Sequence, residues 1–143
     1  MDELQTRITA SFARQGLMRS FMARIVSVAP GACVIEAPVR PETSQQHGAA
    51  HAGLTFSLGD SAAGYAALTL LPEGMEVMTA EMKINLLRPG IGTRLQAEGA
   101  VLRAGRRLVV VRADVFALDA GERRLIAALQ GTMIPVPPQA VTR

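Results

Sequence analysis

The chain has 143 residues, 49% of them apolar and 19% charged, with a formal net charge of +3 and one cysteine. That length suits one domain with room for a buried core, and the apolar content excludes a disordered chain. A lone Cys33 excludes an intrachain disulfide framework, while scattered arginines, a single lysine (Lys83) and no tryptophan argue against a nucleic-acid binder.

The N-terminus, MDELQTR, is acidic and polar where a secretory signal would be basic and then apolar, so a cytoplasmic location is expected. Leu4, Ile8 and Phe12 recur at four-residue steps and predict an amphipathic helix over residues 2–15, ended by Gly16. Two strand-like runs follow at 21–28 and 32–39, with Pro30 and Gly31 as the turn between them. Residues 40–50 read as a polar loop. Residues 51–70 are rich in alanine and leucine, lack proline, and are apolar nearly all round, which predicts a buried helix stopped by Pro72.

The remainder reads as antiparallel sheet. Met78, Ala80, Met82, Ile84 and Leu86 alternate with Thr79, Glu81, Lys83 and Asn85, a period of two that places Thr79 on the polar face. Strands at 93–103 and 108–118 follow, and another at 123–135 comes after the turn at Asp119, Ala120 and Gly121. Residues 109–111 are apolar on both faces, which suggests cover from a second subunit. The expected organisation is a single domain over 1–143: an N-terminal helix at 1–16, a core from about 17 to 136, and a flexible tail at 137–143, the chain fraying from Pro135.

Asp60 is the residue that stands out. It lies two turns inside the apolar helix, flanked by Leu58 and Ala62, where a carboxylate is costly unless paired and where functional pKa shifts concentrate. A solvent-facing position, or a bond to a loop amide, would be the structural alternative. At the helix start, Gly53 leaves a first-turn amide with no side chain over it, at the positive end of the helix dipole, suited to polarising a carbonyl. Seven residues separate Gly53 from Asp60, about 10 Å along the axis, too far for both to hold one carbon atom. If both act together, they come from different subunits.

His47 and His51 have a zinc-like spacing if helical, but Gly48 argues for a loop and the chain has no third histidine. No G-x-S-x-G elbow surrounds Ser57 or Ser61. Cys33, in a predicted strand, reads as a small apolar filler.

His51, Ala52 and Gly53, followed by Leu58, Gly59, Asp60, Ser61 and Ala62, resemble the H-G-G…L-x-D-x-A signature of the PaaI-like hotdog thioesterases. The run from Thr79 through Arg88 to Gly90, and Gly105, Arg106 and Arg107 leading into 109–116, resemble later parts of the same family in the same order. The resemblance spans about residues 45–134. Ala52 stands where the signature has its first glycine. The resemblance implies an α+β hotdog fold, an antiparallel sheet around one long central helix, and hydrolysis of an acyl-CoA to free acid and CoA. It also implies a homodimer or homotetramer with the site at the subunit interface.

It implies roles as well: Asp60 as nucleophile or general base, the Gly53 amide on the thioester carbonyl, and His51 at the helix start. Gln45 stands at a position where family members often carry asparagine, and Thr79 where some carry a water-positioning hydroxyl. Arg88, Arg106 and Arg107 match regions near the CoA phosphates. No metal or organic cofactor is called for, since CoA is part of the substrate. The competing function is a non-catalytic acyl-CoA-binding or regulatory module of the same fold; a dehydratase would pair a histidine with an acid in motifs that are missing here.

Overall fold

The computed structural model describes residues 1–138. Asp2 caps helix α1 (Glu3–Phe12) by accepting the Gln5 N–H at 2.7 Å, and Ile8 on the apolar stripe is fully buried. Gly16 does not end this helix. The break comes at residues 13–15, where Gln15 turns to extended backbone, and Gly16 opens a short second helix α2 (Gly16–Ser20) that carries Met18 into the core. The first strand therefore begins later than the apolar run suggests.

That strand, β1 (Arg24–Ala29), pairs with β2 (Ala32–Pro38) across Gly31, whose φ of +76° favours glycine. The following loop contains a 3-10 turn at Pro41–Thr43. Helix α3 (Ala52–Leu68) comes next, then β3 (Glu76–Leu86), β4 (Arg94–Ala104), β5 (Val109–Asp119) and β6 (Glu122–Val136). The six strands form one antiparallel sheet in the order β1-β2-β4-β5-β6-β3, leaving β1 and β3 as edges. Pro135, expected in a frayed tail, sits in β6 opposite Val77; of that tail, residues 139–143 lie outside the described residues.

The sheet wraps α3, the hotdog arrangement. Leu54 and Leu58 are 2% and 0% exposed, each worth about 1.5–3 kcal/mol in burial. Close docking needs glycine at Gly99, where a Cβ would stand 2.2 Å from the Ala62 carbonyl oxygen. The far end of α3 is tied down from outside: the Arg7 guanidinium donates to the Leu68 and Leu71 carbonyls at 2.7 and 3.1 Å, satisfying acceptors that a helix end leaves open. Thr69 accepts the Gly31 N–H at 2.7 Å and donates to Ala66 O.

Two buried ionisable groups have structural explanations. The Glu36 carboxylate is held by Arg24 at 2.5 Å, by Arg94, and by the Gln96 amide at 3.1 Å. Cys33 is fully buried, and burial pushes its thiol up to about 12, which keeps it unreactive in the folded chain. Among the described residues no helix is long and apolar enough to cross a membrane.

One strand departs from its sequence pattern. The register of β3 against β6 slips between Thr79 and Glu81, a bulge at Ala80. Thr79 pairs with buried Met133 and so faces α3, whereas Glu81 pairs with Thr132 and accepts its hydroxyl at 2.9 Å on the opposite face. The phase of the strand reverses at the bulge. Met78 is 45% exposed although Met82, four residues on, is partly buried against the core.

Candidate active site

Asp60 is half-buried on α3 and faces β3. Thr79 donates its hydroxyl to Asp60 Oδ1 at 2.8 Å. This contact depends on the bulge: without it Thr79 would point to the outer face of the sheet, as the alternation had suggested. Burial raises the Asp60 carboxyl above its ordinary value, and the Thr79 bond pulls partly the other way by favouring the charged form. Among the described residues Oδ2 has no protein hydrogen-bond partner. A carboxylate in this state can accept a proton or attack an electrophile.

The cleft in front of Asp60 has a volume of about 390 Å³. Gly64, Tyr65, Val77, Thr79 and Met133 line it from α3 and the sheet, and Ser11, Arg14 and Gln15 from α1 and the turn after it. Tyr65 is held there by Gln15 Nε2, which donates to its oxygen at 2.9 Å, and by Ser11 Oγ at 3.2 Å. None of the residues contributed by the N-terminal helices was picked out from the sequence, because they lie 45 or more positions from Asp60. Gly64 was within reach, since a helix places positions four apart on one face.

The start of α3 forms a second cleft, about 430 Å³, lined by Gln45, Ala52, Thr55, Leu87 and Arg88 among others. No residue lines both clefts. His51 is the N-cap, and its Nδ1 accepts the Gly53 N–H at 2.7 Å. The amide expected to be bare is thus held by the ring two residues before it. Among the described residues the Ala52 N–H has no partner, and Ala52 lines the same cleft. Gln45 turns its side chain inward on its own loop, accepting the His47 N–H at 2.5 Å. Among the described residues no three His, Cys, Asp or Glu side chains converge as a metal site.

The three arginines fall at two ends of the molecule. Arg88 follows β3 at the end where α3 begins. Arg106 and Arg107 are exposed in the β4–β5 turn, and the row Val109, Met133, Thr79 places that turn at the Asp60 end. One chain does not bring Arg88 together with the other two. A larger concavity of about 630 Å³ lies between α1 and β1, but its ionisable side chains, Arg19 and Arg24, are engaged with Ala13 O and Glu36. Its lining holds the Thr9 and Ser27 hydroxyls but no carboxylate, histidine or cysteine beside them.

Comparison with known proteins agrees with this fold. The family model described as the thioesterase superfamily matches residues 47–123, which includes both clefts' α3 residues. A thioesterase family protein from Silicibacter pomeroyi has a similar structure, with a TM-score of 0.91 and 37% identity, covering 94% of this chain and 98% of that one. The phenylacetic acid degradation protein PaaI from Thermus thermophilus, solved as a mutant, gives a TM-score of 0.72 and 28% identity over 84% of this chain and 98% of that one. A protein of Saccharolobus solfataricus, named provisionally as an esterase, is 34% identical over 91 residues, 64% of each chain. The match therefore spans just under two thirds of that relative's length.

Proposed function

The chain belongs to the thioesterase superfamily, with the fold of its PaaI-like hotdog members, and from that premise we propose that it hydrolyses acyl-CoA thioesters at a centre shared by two copies of the chain. The observation that carries the proposal is the Asp60 carboxylate: half-buried, raised in pKa, hydrogen-bonded by Thr79 and facing a cleft. Asp60 takes a proton from water as the water oxygen bonds to the thioester carbon. The C–S bond then breaks and the proton passes to the CoA sulfur. In the nucleophilic version Asp60 itself bonds to that carbon, CoA leaves, and water cleaves the resulting anhydride. Thr79 orients the carboxylate in either case.

The carbonyl oxygen needs a donor, and the start of α3 supplies it. The Gly53 amide serves once the exposed His51 ring gives way to the carbonyl, with the Ala52 N–H alongside. Gln45 stands at the same cleft, where its amide can position carbonyl or water. About 10 Å of helix separates this donor from Asp60, so one chain does not complete the centre.

Edge strand β3 supports a two-chain arrangement. Val77 and Thr79 near its start line the Asp60 cleft, and Leu86 at its end lines the cleft at the start of α3. Antiparallel pairing of β3 with its own copy about a two-fold axis lays the start of one beside the end of the other. Each Asp60 cleft then approaches the partner's helix start, and Arg88 moves toward the end that carries the partner's β4–β5 turn. Arg88, Arg106 and Arg107 are the residues assigned to the CoA phosphates, which guanidinium groups bind through paired hydrogen bonds.

The test is release of CoA from a panel of acyl-CoAs, followed with a thiol-reactive dye, in the wild type and in Asp60→Asn. The expected result is turnover by the wild type and a loss of at least about 100-fold in the variant, the scale of a lost general base. Turnover retained by Asp60→Asn removes the mechanism, and saturable binding with no turnover makes the protein a binding module.

A further inference from the structure

Three glycines lie in α3, and packing accounts for two of them. At Gly59 a Cβ would meet Leu129 Cδ2 and Cδ1 at 2.8 and 3.0 Å, so a side chain there would force that buried leucine to shift; at Gly53 it would meet the His51 ring at 2.9 Å. Gly64 has no such reason. A Cβ there would find only Met133 Cε at 3.7 Å and Val77 Cγ2 at 3.9 Å, ordinary contacts, and its backbone is helical with no positive φ. Glycine inside a helix weakens it relative to alanine. This residue therefore carries a cost that neither its backbone nor its neighbours require.

What glycine does provide at this point is space in the Asp60 cleft. Gly64 lies one turn beyond Asp60 on the same helix face, about 6 Å further along the axis. It is partly exposed although Ala62, Ala63, Tyr65 and Ala66 around it are buried. The side chains opposite it, Val77 and Met133, are apolar and line the same cleft. We propose that Gly64 is a specificity-determining residue: the bare stretch of α3 facing Val77 and Met133 is where the acyl group runs beyond the thioester carbon, and the missing side chain admits acyl groups longer than the shortest ones. The inference rests on the thioesterase reading and adds to it the path and size of the acyl group.

The test compares acetyl-CoA, too short to pass Gly64, with octanoyl-CoA, long enough to do so, in the wild type and in Gly64→Ala. One added carbon in an apolar wall changes discrimination by about 10-fold or more. The expected result is a fall of that size in the ratio of kcat/KM for octanoyl-CoA over acetyl-CoA, with a melting temperature equal to or above that of the wild type. A melting temperature no lower than the wild type's separates a filled cleft from a damaged fold. A ratio unchanged within about two-fold, an equal loss on both substrates, or a wild type that turns over acetyl-CoA but not octanoyl-CoA overturns the assignment and leaves the thioesterase reading standing. A wild type inactive on every acyl-CoA refutes that reading and this inference with it.

Discussion

The two-chain centre can be tested by complementation. Gly53→Pro removes one N–H from the first turn of α3, where that amide makes no intrahelical bond; the added ring displaces the exposed His51 side chain, whose Nδ1 would stand 2.9 Å from a Cβ there, and circular dichroism checks that the fold is kept. Losing one donor to a developing oxyanion costs about 100- to 1,000-fold in turnover, so the Gly53→Pro homodimer should be nearly inactive. Asp60→Asn should be nearly inactive for a different reason, loss of the carboxylate. A dimer with one chain of each kind has two centres. One joins the proline of the first chain to the asparagine of the second and is dead; the other joins an intact Asp60 to an intact Gly53. The two chains, carrying different tags, would be co-expressed, mixed dimers isolated on both tags in turn, and CoA release measured. About half the wild-type turnover per dimer is expected, because one of two symmetric centres survives. If each chain built its own centre, both would be broken and no activity would return. A mixed dimer no more active than either parent therefore refutes the argument drawn from the roughly 10 Å between Gly53 and Asp60.

Two other perturbations read the structure directly. The Thr79 hydroxyl favours the ionised form of Asp60, so Thr79→Val should raise the carboxyl pKa further. Since the reaction needs the carboxylate, activity rises with pH through that pKa, and the acid limb of the kcat/KM profile should move to higher pH in the variant; a limb that stays put or moves lower contradicts the contact. Gly99→Ala sets a Cβ 2.2 Å from Ala62 O and 2.3 Å from its carbonyl carbon, both backbone atoms with no rotamer to yield. Overpacking of this kind should cost about 3 kcal/mol or more and lower the thermal midpoint by about 10 °C, checked by circular dichroism. A shift of only a degree or two would mean that the helix and sheet are not in close contact there.

Some sequence expectations failed for identifiable reasons. Glycine commonly follows helices, which predicts a stop at Gly16, but the stop is set by Gln15, which leaves helical backbone and reaches Tyr65. Strict alternation puts Thr79 on the polar face because it has no way of registering a bulge. A trace of that bulge existed in Gly131, a glycine inside a strand, which marks close backbone approach. Its missing side chain leaves room for the Glu81 carbonyl, which would stand 2.4 Å from a Cβ there. The bare Gly53 amide was expected because no side chain of its own covers it, yet a ring from two residues earlier does.

The sequence by itself determined the order of elements, the buried helix and the odd carboxylate within it. These depend on hydrophobic period, turn residues and helix stops, all of which act over a few residues of chain. Only the tertiary structure decided that Thr79 meets Asp60, that the N-terminal helices wall the cleft, and that the start of α3 and Asp60 open into separate clefts. Each of those facts is set by pairing between segments far apart in the chain. A one-residue slip in register against β6 turns a side chain from one face of the sheet to the other without altering the local pattern.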